Sequence, residues 1–165
     1  MKFLITNLIL MFSLSLYSQP KIFADDLKTI IGEWEGSLTY LDYQTNEPFT
    51  MPANLIIEQG KNENKLVLKN IYPNEPKANN KSKIKISKDG SLLNKNKVVS
   101  REKSENGHLQ IQTEHEGKDD NKKALIRYTY TIGTNVFTIR KEVQFNKNND
   151  WIKRSEFSHT RKKDS

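Results

Sequence analysis

The chain has 165 residues, a formal net charge of +7 and no cysteine. A chain of this length forms one domain with a substantial core, and its 35% hydrophobic and 28% charged residues are typical of a folded soluble protein rather than a disordered one. The absence of cysteine excludes disulfide bonds, thiolate catalysis and cysteine metal ligands.

The first 24 residues have the pattern of a cleaved export signal. Lys2 is followed by an apolar run over residues 3–16, which is too short for a bilayer-spanning helix of about 20 residues. Ser18 and Ala24 each place a small residue at a cleavage point, and the sequence leaves both open. We therefore expect an exported protein, periplasmic or secreted, that does not span the membrane.

Residues 25–161 are predicted to form a single β-domain, followed by a basic tail at 162–165. Residues 25–31 favour one short turn of helix. Beyond them, short alternating runs are separated by turns rich in Gly, Asn, Asp, Pro and Lys. The candidate strands are 34–42, 51–59, 65–72, 82–88, 96–103, 107–115, 124–133, 136–145 and 151–160.

The hairpin-length links between these strands indicate an antiparallel up-and-down meander that closes into a β-barrel of 8–10 strands. An even number of strands makes the first and last strands antiparallel neighbours, so the count of nine is wrong by one. The weakly patterned strand 96–103 is the first candidate for removal, and a ten-stranded barrel is equally open.

Side-chain alternation assigns one face of four strands to the barrel interior. The inward residues are Trp34, Gly36, Leu38, Tyr40 and Asp42 in the first strand, Ala124, Ile126, Tyr128, Tyr130 and Ile132 in the 124–133 strand, Phe137, Ile139, Lys141, Val143 and Phe145 in the next, and Trp151, Phe157, His159 and Arg161 in the last. Lys153 and Ser155 share the parity of the last set, so a bulge would shift the register there.

Gly32-x-Trp34 at the entrance of the first strand, the meander, and Arg161 at the end of the last strand resemble the calycin superfamily of lipocalin-like barrels. The resemblance implies that Trp34 packs across the closed end of the barrel with Arg161 over its ring, a contact worth about 0.5–2 kcal/mol. Gly36 inside a strand suits the bend or close backbone approach of a barrel corner. The opening is also similar to that of small exported bacterial proteins with a "GxWxGxLxYxDY" pattern and no established activity.

The inward side chains predict a non-enzymatic protein that binds a small, partly apolar ligand inside the barrel. The candidate ligand-binding residues are Tyr40, Tyr128, Tyr130, Phe137, Lys141, Phe157 and His159. Lys141 or Arg127 is the candidate partner of a ligand carboxylate, depending on which face points inward. Polar residues at the rim of the barrel would instead face water.

Two alternatives stay open. In the first, the barrel is packed solid and its basic outer surface contacts an acidic partner or another protein. In the second, His159 binds haem, as a histidine near the end of the chain does in the nitrobindin-like calycins. The chain departs from that family because it lacks further glycines after Gly36 and a clear haem-sized apolar lining. No other cofactor is expected.

The sequence has no GxSxG, HExxH, phosphate-binding glycine loop or EF-hand motif, so no catalytic or metal site is predicted. His108 and His115 would lie on opposite faces of one strand, about 23 Å apart, and do not share a metal. Asp119 and Asp120 are interpreted as part of a turn whose charge neighbouring lysines neutralise.

Lysines at 81, 83 and 85 line one face of a strand, which raises the question of nucleic-acid binding. We interpret them as protection against edge-to-edge aggregation, since Ile84 and Ile86 on the other face supply the core contacts. The stacking aromatic residues that single-strand binding needs are missing from this stretch, so no nucleic-acid partner is expected.

Overall fold

A computed structural model describes residues 19–146 and 150–163. It contains one short α-helix, α1 (Ala24–Lys28), and a 3-10 helix at Pro76–Ala78. The strands are β1 (Gly32–Leu41), β2 (Pro48–Pro52), β3 (Asn54–Gln59), β4 (Lys65–Ile71), β5 (Asn80–Lys85), β6 (Leu92–Leu93), β7 (Asn96–Lys103), β8 (Leu109–Asp119), β9 (Lys122–Ile132), β10 (Val136–Gln144) and β11 (Ile152–Arg161). Residues 1–18 of the predicted export signal and residues 164–165 of the predicted tail lie outside the described residues.

All eleven strands belong to one antiparallel sheet that nearly closes into a barrel, which confirms the predicted fold class. Ten of them follow one another in the order β5-β4-β3-β1-β11-β10-β9-β8-β7-β6, and β2 pairs with β1 beside β3. The first and last long strands, β1 and β11, are antiparallel neighbours in a register that places Trp34 opposite Arg161.

The strand count corrects one sequence interpretation. Residues 96–103 form the strand β7, so the interpretation that this stretch is not a strand is wrong. The tenth strand of the path is instead β6, whose two residues are too short to give an alternation signal. The candidate strand 51–59 is divided at Ala53 into β2 and β3, which pair with different halves of β1.

In the part of the chain that the structure describes, no helix has the length and apolar character needed to cross a membrane.

Buried apolar side chains fill the end of the barrel that we call the capped end, where α1 and the following turn lie over Trp34. Ile22, Leu27 and Ile30 are buried against this end and belong to the same core as Trp34. The Arg101 guanidinium ties the helix to β7 by donating from Nε and Nη2 to the Asp26 carboxylate, at 2.9 and 2.6 Å. The capped end is therefore closed by a segment that lies outside the sheet.

The opposite end, which we call the distal end, has a smaller apolar cluster of Ala124, Ile126 and Val143. Near it the sheet does not close completely. Pairing between β7 and β8 ends at Lys97 and Glu114, and an isolated bridge joins Ile86, the residue after β5, to Leu93 of β6. A gap is left between β5 and the distal half of β8.

Candidate functional site

A partly open cavity of about 340 Å³ lies at this gap and reaches buried side chains of the barrel interior. Its walls come from β4, β5, the β6–β7 turn and the three consecutive strands β8, β9 and β10. The apolar and aromatic lining residues are Leu68, Ile84, Tyr128, Tyr130 and Ile139, and the polar ones are Ser82, Lys83, Asn94, Asn96 and His115. Small-molecule sites combine an apolar wall with a few polar groups in this way.

Two tyrosines and a histidine form the wall of the cavity on β8 and β9. Tyr128 and Tyr130 occupy alternate positions of β9 and therefore share its inward face. The His115 ring stacks on Tyr128 with 6.1 Å between ring centroids and an interplanar angle of 3°. Burial raises the pKa of Tyr130, more than a hydrogen bond with the Asn94 side chain lowers it, so its hydroxyl stays protonated.

His115 is held in its neutral form. Burial lowers the pKa of its imidazole, and the positive charge of Lys141 lowers that pKa further. Its Nδ1 atom is buried and has no hydrogen-bond partner among the described residues. The same holds for Oγ1 of Thr113, two residues earlier on the same face of β8. Buried polar atoms in proteins normally have a partner, so this wall favours a polar ligand group or a water molecule.

A charged cluster stands at the distal rim of the cavity, centred on Asp119, which is 4% exposed. Its carboxylate accepts hydrogen bonds from the Tyr43 hydroxyl at 2.8 Å, from Lys141 Nζ at 2.7 Å and from Arg154 Nε at 2.7 Å. Burial raises the pKa of Asp119, but the hydrogen bonds from Lys141 and Tyr43 and the two nearby positive charges outweigh it and lower the pKa. Asp119 is therefore an ionised acceptor shared by two cations.

The cluster is continuous with the cavity through β10. Lys141 follows the cavity residue Ile139 on the inward face and lies directly opposite Tyr128 in the pairing of β10 with β9. Consecutive inward residues of a strand are about 7 Å apart. Lys141 thus connects the apolar wall to the charged rim.

Arg154 reaches the interior because of a β-bulge. The β10–β11 register pairs Lys141 with Ser155 but Glu142 with Lys153, which leaves Arg154 as the extra residue. Its guanidinium packs over the Tyr43 ring at 4.8 Å and near the Phe145 ring at 5.7 Å. A bulge reverses the alternation of side chains beyond it, so Trp151 points outward, contrary to the simple alternation of the sequence.

Arg127, the other candidate partner of a ligand carboxylate, makes its contacts on the outer face of the barrel. Arg127 donates from Nε and Nη2 to Glu114 at 2.9 and 2.6 Å and packs over the Trp151 ring at 3.8 Å. These contacts lie on the face opposite to the cavity residues of β8 and β9. Arg127 is therefore outside the barrel, and Lys141 is the inward candidate.

The structure divides the seven candidate ligand-binding residues into three groups. Tyr128 and Tyr130 line the cavity, and Lys141 stands at its rim. Phe137 and His159 are buried in the core, and the half-buried Phe157 stacks on His159 with a centroid distance of 6.0 Å. Tyr40 packs against Phe49 in the β1–β2 hairpin, with 5.5 Å between ring centroids. The last two groups are not among the cavity's lining residues.

At the capped end, Arg161 lies over the Trp34 ring, with Cζ 4.3 Å from the ring centroid. Its guanidinium donates to the backbone carbonyls of Ile31, Thr29 and Thr134, and Trp34 Nε1 donates to the carbonyl of Ile30 at 2.8 Å. The positive charge over the indole is therefore also hydrogen-bonded to the chain that covers the end of the barrel.

His159, the candidate haem ligand, is buried in the core of the barrel. The His159 ring stacks near Phe137 and Phe157, and it does not line the interior cavity. Burial lowers the pKa of His159, more than the nearby backbone groups of Phe137 and Ala53 raise it, so the imidazole is neutral within the core. Within the described part of the chain no three His, Asp or Glu residues are grouped as metal ligands.

Sequence reasoning missed three residues of the site. Asp119 was interpreted as a turn residue, but the strand continues to it and buries it. His115 was considered only as a metal ligand with His108, and its inward position beside Tyr128 was not used. Arg154 was missed because the bulge reverses parity, although the charged Lys153 between Trp151 and Phe157 was the available signal for that bulge.

A second, larger groove of about 540 Å³ lies at the β8–β9 hairpin and the end of β10. Its lining residues are Glu116, Gly117, Lys118, Lys123, Ala124, Leu125, Gln144, Phe145 and Asn146. These come from both faces of the strands, so the groove runs over the outside of the rim. The interior cavity is the better candidate because its aromatic and polar residues converge on one space.

No protein-family model and no curated protein matches this chain. Among solved structures it is similar to Rv2717c from M. tuberculosis, with 10% identity and a TM-score of 0.49 over 87% of this chain and 100% of that one. It is also similar to a protein of unknown function from the DUF3598 family of Nostoc punctiforme, with 13% identity and a TM-score of 0.39. That similarity covers 87% of this chain and 50% of the other, so this chain spans half its length.

Proposed function

We propose that this protein is an exported, non-enzymatic binding protein that holds one small, partly apolar molecule inside its barrel. The observation that carries the proposal is the 340 Å³ cavity with Tyr128, Tyr130 and Ile139 on one side and Leu68 and Ile84 on the other. Its volume lies at the lower end of the range for small-molecule sites, about 300–1,000 Å³. The amino-terminal sequence supports the export part of the proposal.

The alternative of a solid barrel acting through its surface is less well supported. The side chains of Tyr128, Tyr130 and Ile139 face those of Leu68 and Ile84 across the space at the gap between β5 and β8, which suits an apolar molecule between them. His115 Nδ1, which has no partner among the described residues, also belongs to a residue that lines the cavity, where a bound molecule would supply a partner. Both observations favour a ligand inside the barrel.

The experiment is native mass spectrometry of protein purified without refolding, before and after denaturation. Ser82, an exposed residue whose position lines the cavity, is replaced by tryptophan to block the entrance, and Ser158 on the outer face of β11 is replaced by tryptophan as the matched control. We expect one bound small molecule on the wild type and on Ser158→Trp, and loss of it on Ser82→Trp. An empty wild type that also takes up no added small apolar molecule, or full retention by Ser82→Trp, would contradict the proposal.

A further inference from the structure

Charge in and around the cavity is unbalanced. Among the described residues, the rim cluster has two cations, Lys141 and Arg154, that share the carboxylate of Asp119. The Lys141 and Arg154 side chains are only 23% and 10% exposed. Since a partly buried excess charge is costly without a counter-charge, the cavity favours an anionic ligand over a neutral or cationic one.

Lys141 has the geometry to receive that anion. An ammonium group has three N–H donors, and the described contacts of Lys141 use one of them, to Asp119 Oδ1. Asp119 is itself fixed by Tyr43 and Arg154, so the Lys141 side chain is held at the rim rather than free in solvent. The neutral His115 stands on the neighbouring inward wall, and its Nδ1 atom has no partner in the described part of the chain.

The size of the cavity limits the rest of the ligand. A volume of 340 Å³ corresponds to about eleven water molecules at about 30 Å³ each, so it accommodates a similar number of non-hydrogen atoms. The wall toward the core is apolar and aromatic, formed by Tyr130, Ile139, Leu68 and Ile84. A flexible chain or one aromatic ring with a short acidic arm matches this shape, whereas a long lipid exceeds it.

We infer that the ligand is a small monocarboxylate whose apolar part lies between Tyr130, Ile139 and Ile84 and whose carboxylate is bound by Lys141 at the rim. Asp119 and Arg154 act as positioning residues that keep Lys141 in place. This inference rests on the proposed function, since it names the chemical class of the molecule that the cavity holds.

The test compares octanoate, 1-octanol and octylamine, three probes with the same chain and different head groups, by isothermal titration calorimetry at neutral pH. We expect octanoate to bind about tenfold more tightly than octanol, because a charge-assisted hydrogen bond replaces a neutral one, and octylamine to bind more weakly than octanol. In Lys141→Met we expect octanoate binding to weaken about tenfold, to the level of octanol. Octanol binding itself should be unchanged in that variant.

Arg140→Met is the matched control, because Arg140 is the neighbour of Lys141 on the outer face of β10 and pairs there with Glu156. It should leave all three affinities as in the wild type. Tighter binding of octanol than of octanoate by the wild type overturns the inference. This comparison does not need a variant, so the inference can be tested even if Lys141→Met does not fold. An unchanged ratio of octanoate to octanol affinity in a folded Lys141→Met overturns it as well. If none of the three probes binds and the purified protein is empty, the proposed function itself fails.

Discussion

Gly36 lies directly opposite His159 in the pairing of β1 with β11, and a β-carbon on Gly36 would stand 2.7 Å from Cδ2 of the His159 ring. Gly32, four residues earlier, has φ of +133° and leaves room for the guanidinium of Arg161, whose Nη1 would be 2.7 Å from a β-carbon there. The two glycines on either side of Trp34 therefore make space for two side chains of the last strand, His159 and Arg161.

Replacing Gly36 by alanine should destabilise the barrel by about 2 kcal/mol, since the added methyl group would overlap the carbonyl oxygen of Ser158 and the ring of His159. Chemical denaturation followed by circular dichroism measures the loss. Ser37→Ala on the outer face of the same strand is the control and should stay within about 0.5 kcal/mol of the wild type. A Gly36→Ala variant as stable as the control would contradict the close approach of β1 and β11.

Replacing Trp34 by alanine should lower the free energy of unfolding by about 3–5 kcal/mol, because Trp34 is 1% exposed and packs against Phe137 with ring centroids 6.1 Å apart. Trp151 is the matched control, since it is partly exposed on the outer face and its main described contact is Arg127. Trp151→Ala should cost about 1 kcal/mol. A loss below about 1 kcal/mol for Trp34→Ala would show that Trp34 does not close the barrel.

Replacing Asp119 by asparagine should cost about 3 kcal/mol at neutral pH, because it leaves Lys141 and Arg154 without their shared carboxylate. The lowered pKa of Asp119 means that its contribution is present above about pH 4, the pKa of an unfolded aspartate, and is lost as the pH falls through the folded pKa. Unfolding free energy measured from pH 7 down to pH 2 should therefore fall less steeply in Asp119→Asn than in the wild type.

The neighbouring Asp120→Asn is the control for this acid dependence. Asp120 is exposed, its carboxylate is 3.5 Å from Lys122, and its left-handed backbone with φ of 48° suits asparagine. We expect Asp120→Asn to keep both the stability at neutral pH and the acid slope of the wild type. Equal acid slopes in wild type, Asp119→Asn and Asp120→Asn would contradict the ionised state of Asp119.

Replacing Lys85 by glutamate should stabilise the protein by several tenths of a kcal/mol, up to about 1 kcal/mol, because Lys85 lies directly opposite Lys65 on the outer face of the β4–β5 pair. Lys97→Glu is the reverse control, since Lys97 lies opposite Glu114 and the change creates a like-charged pair. It should destabilise by a similar amount. Both effects should shrink as salt is raised in thermal unfolding measurements. A stability change of the same sign in the two variants would rule out cross-strand repulsion as the cause.

If the chain is processed on export, we expect cleavage after Ser18 rather than after Ala24. Ile22 is 1% exposed, belongs to the main core and donates its backbone N–H to the carbonyl of Gly90 at 3.0 Å. Cleavage after Ala24 would remove this residue and the first residue of α1. Intact-mass measurement of the exported protein should show a chain that begins at Gln19, and a chain that begins at Asp25 would contradict this expectation.

The sequence by itself determined the architecture and the contact of the first strand with the last. Alternation over the 124–133 and 136–145 stretches assigns inward faces independently of tertiary context, because a strand has a side-chain period of two. Hairpin-length turns then allow little besides a meander, and the meander brings Trp34 and Arg161 together once the number of strands is even. Short-range patterns predicted the strands and their faces, and the resemblance of the sequence to lipocalin-like barrels predicted the contact of Trp34 with Arg161.

Only the tertiary structure decided the site. The bulge at Arg154 reverses the parity of β11, and such an extra residue depends on the pairing with β10 rather than on its own sequence. The burial of Asp119 depends on Tyr43, Lys141 and Arg154, which lie 76, 22 and 35 residues away along the chain. The cavity itself exists because β6 has only two residues and leaves β5 and the distal half of β8 apart, a consequence of long-range pairing that no local pattern encodes.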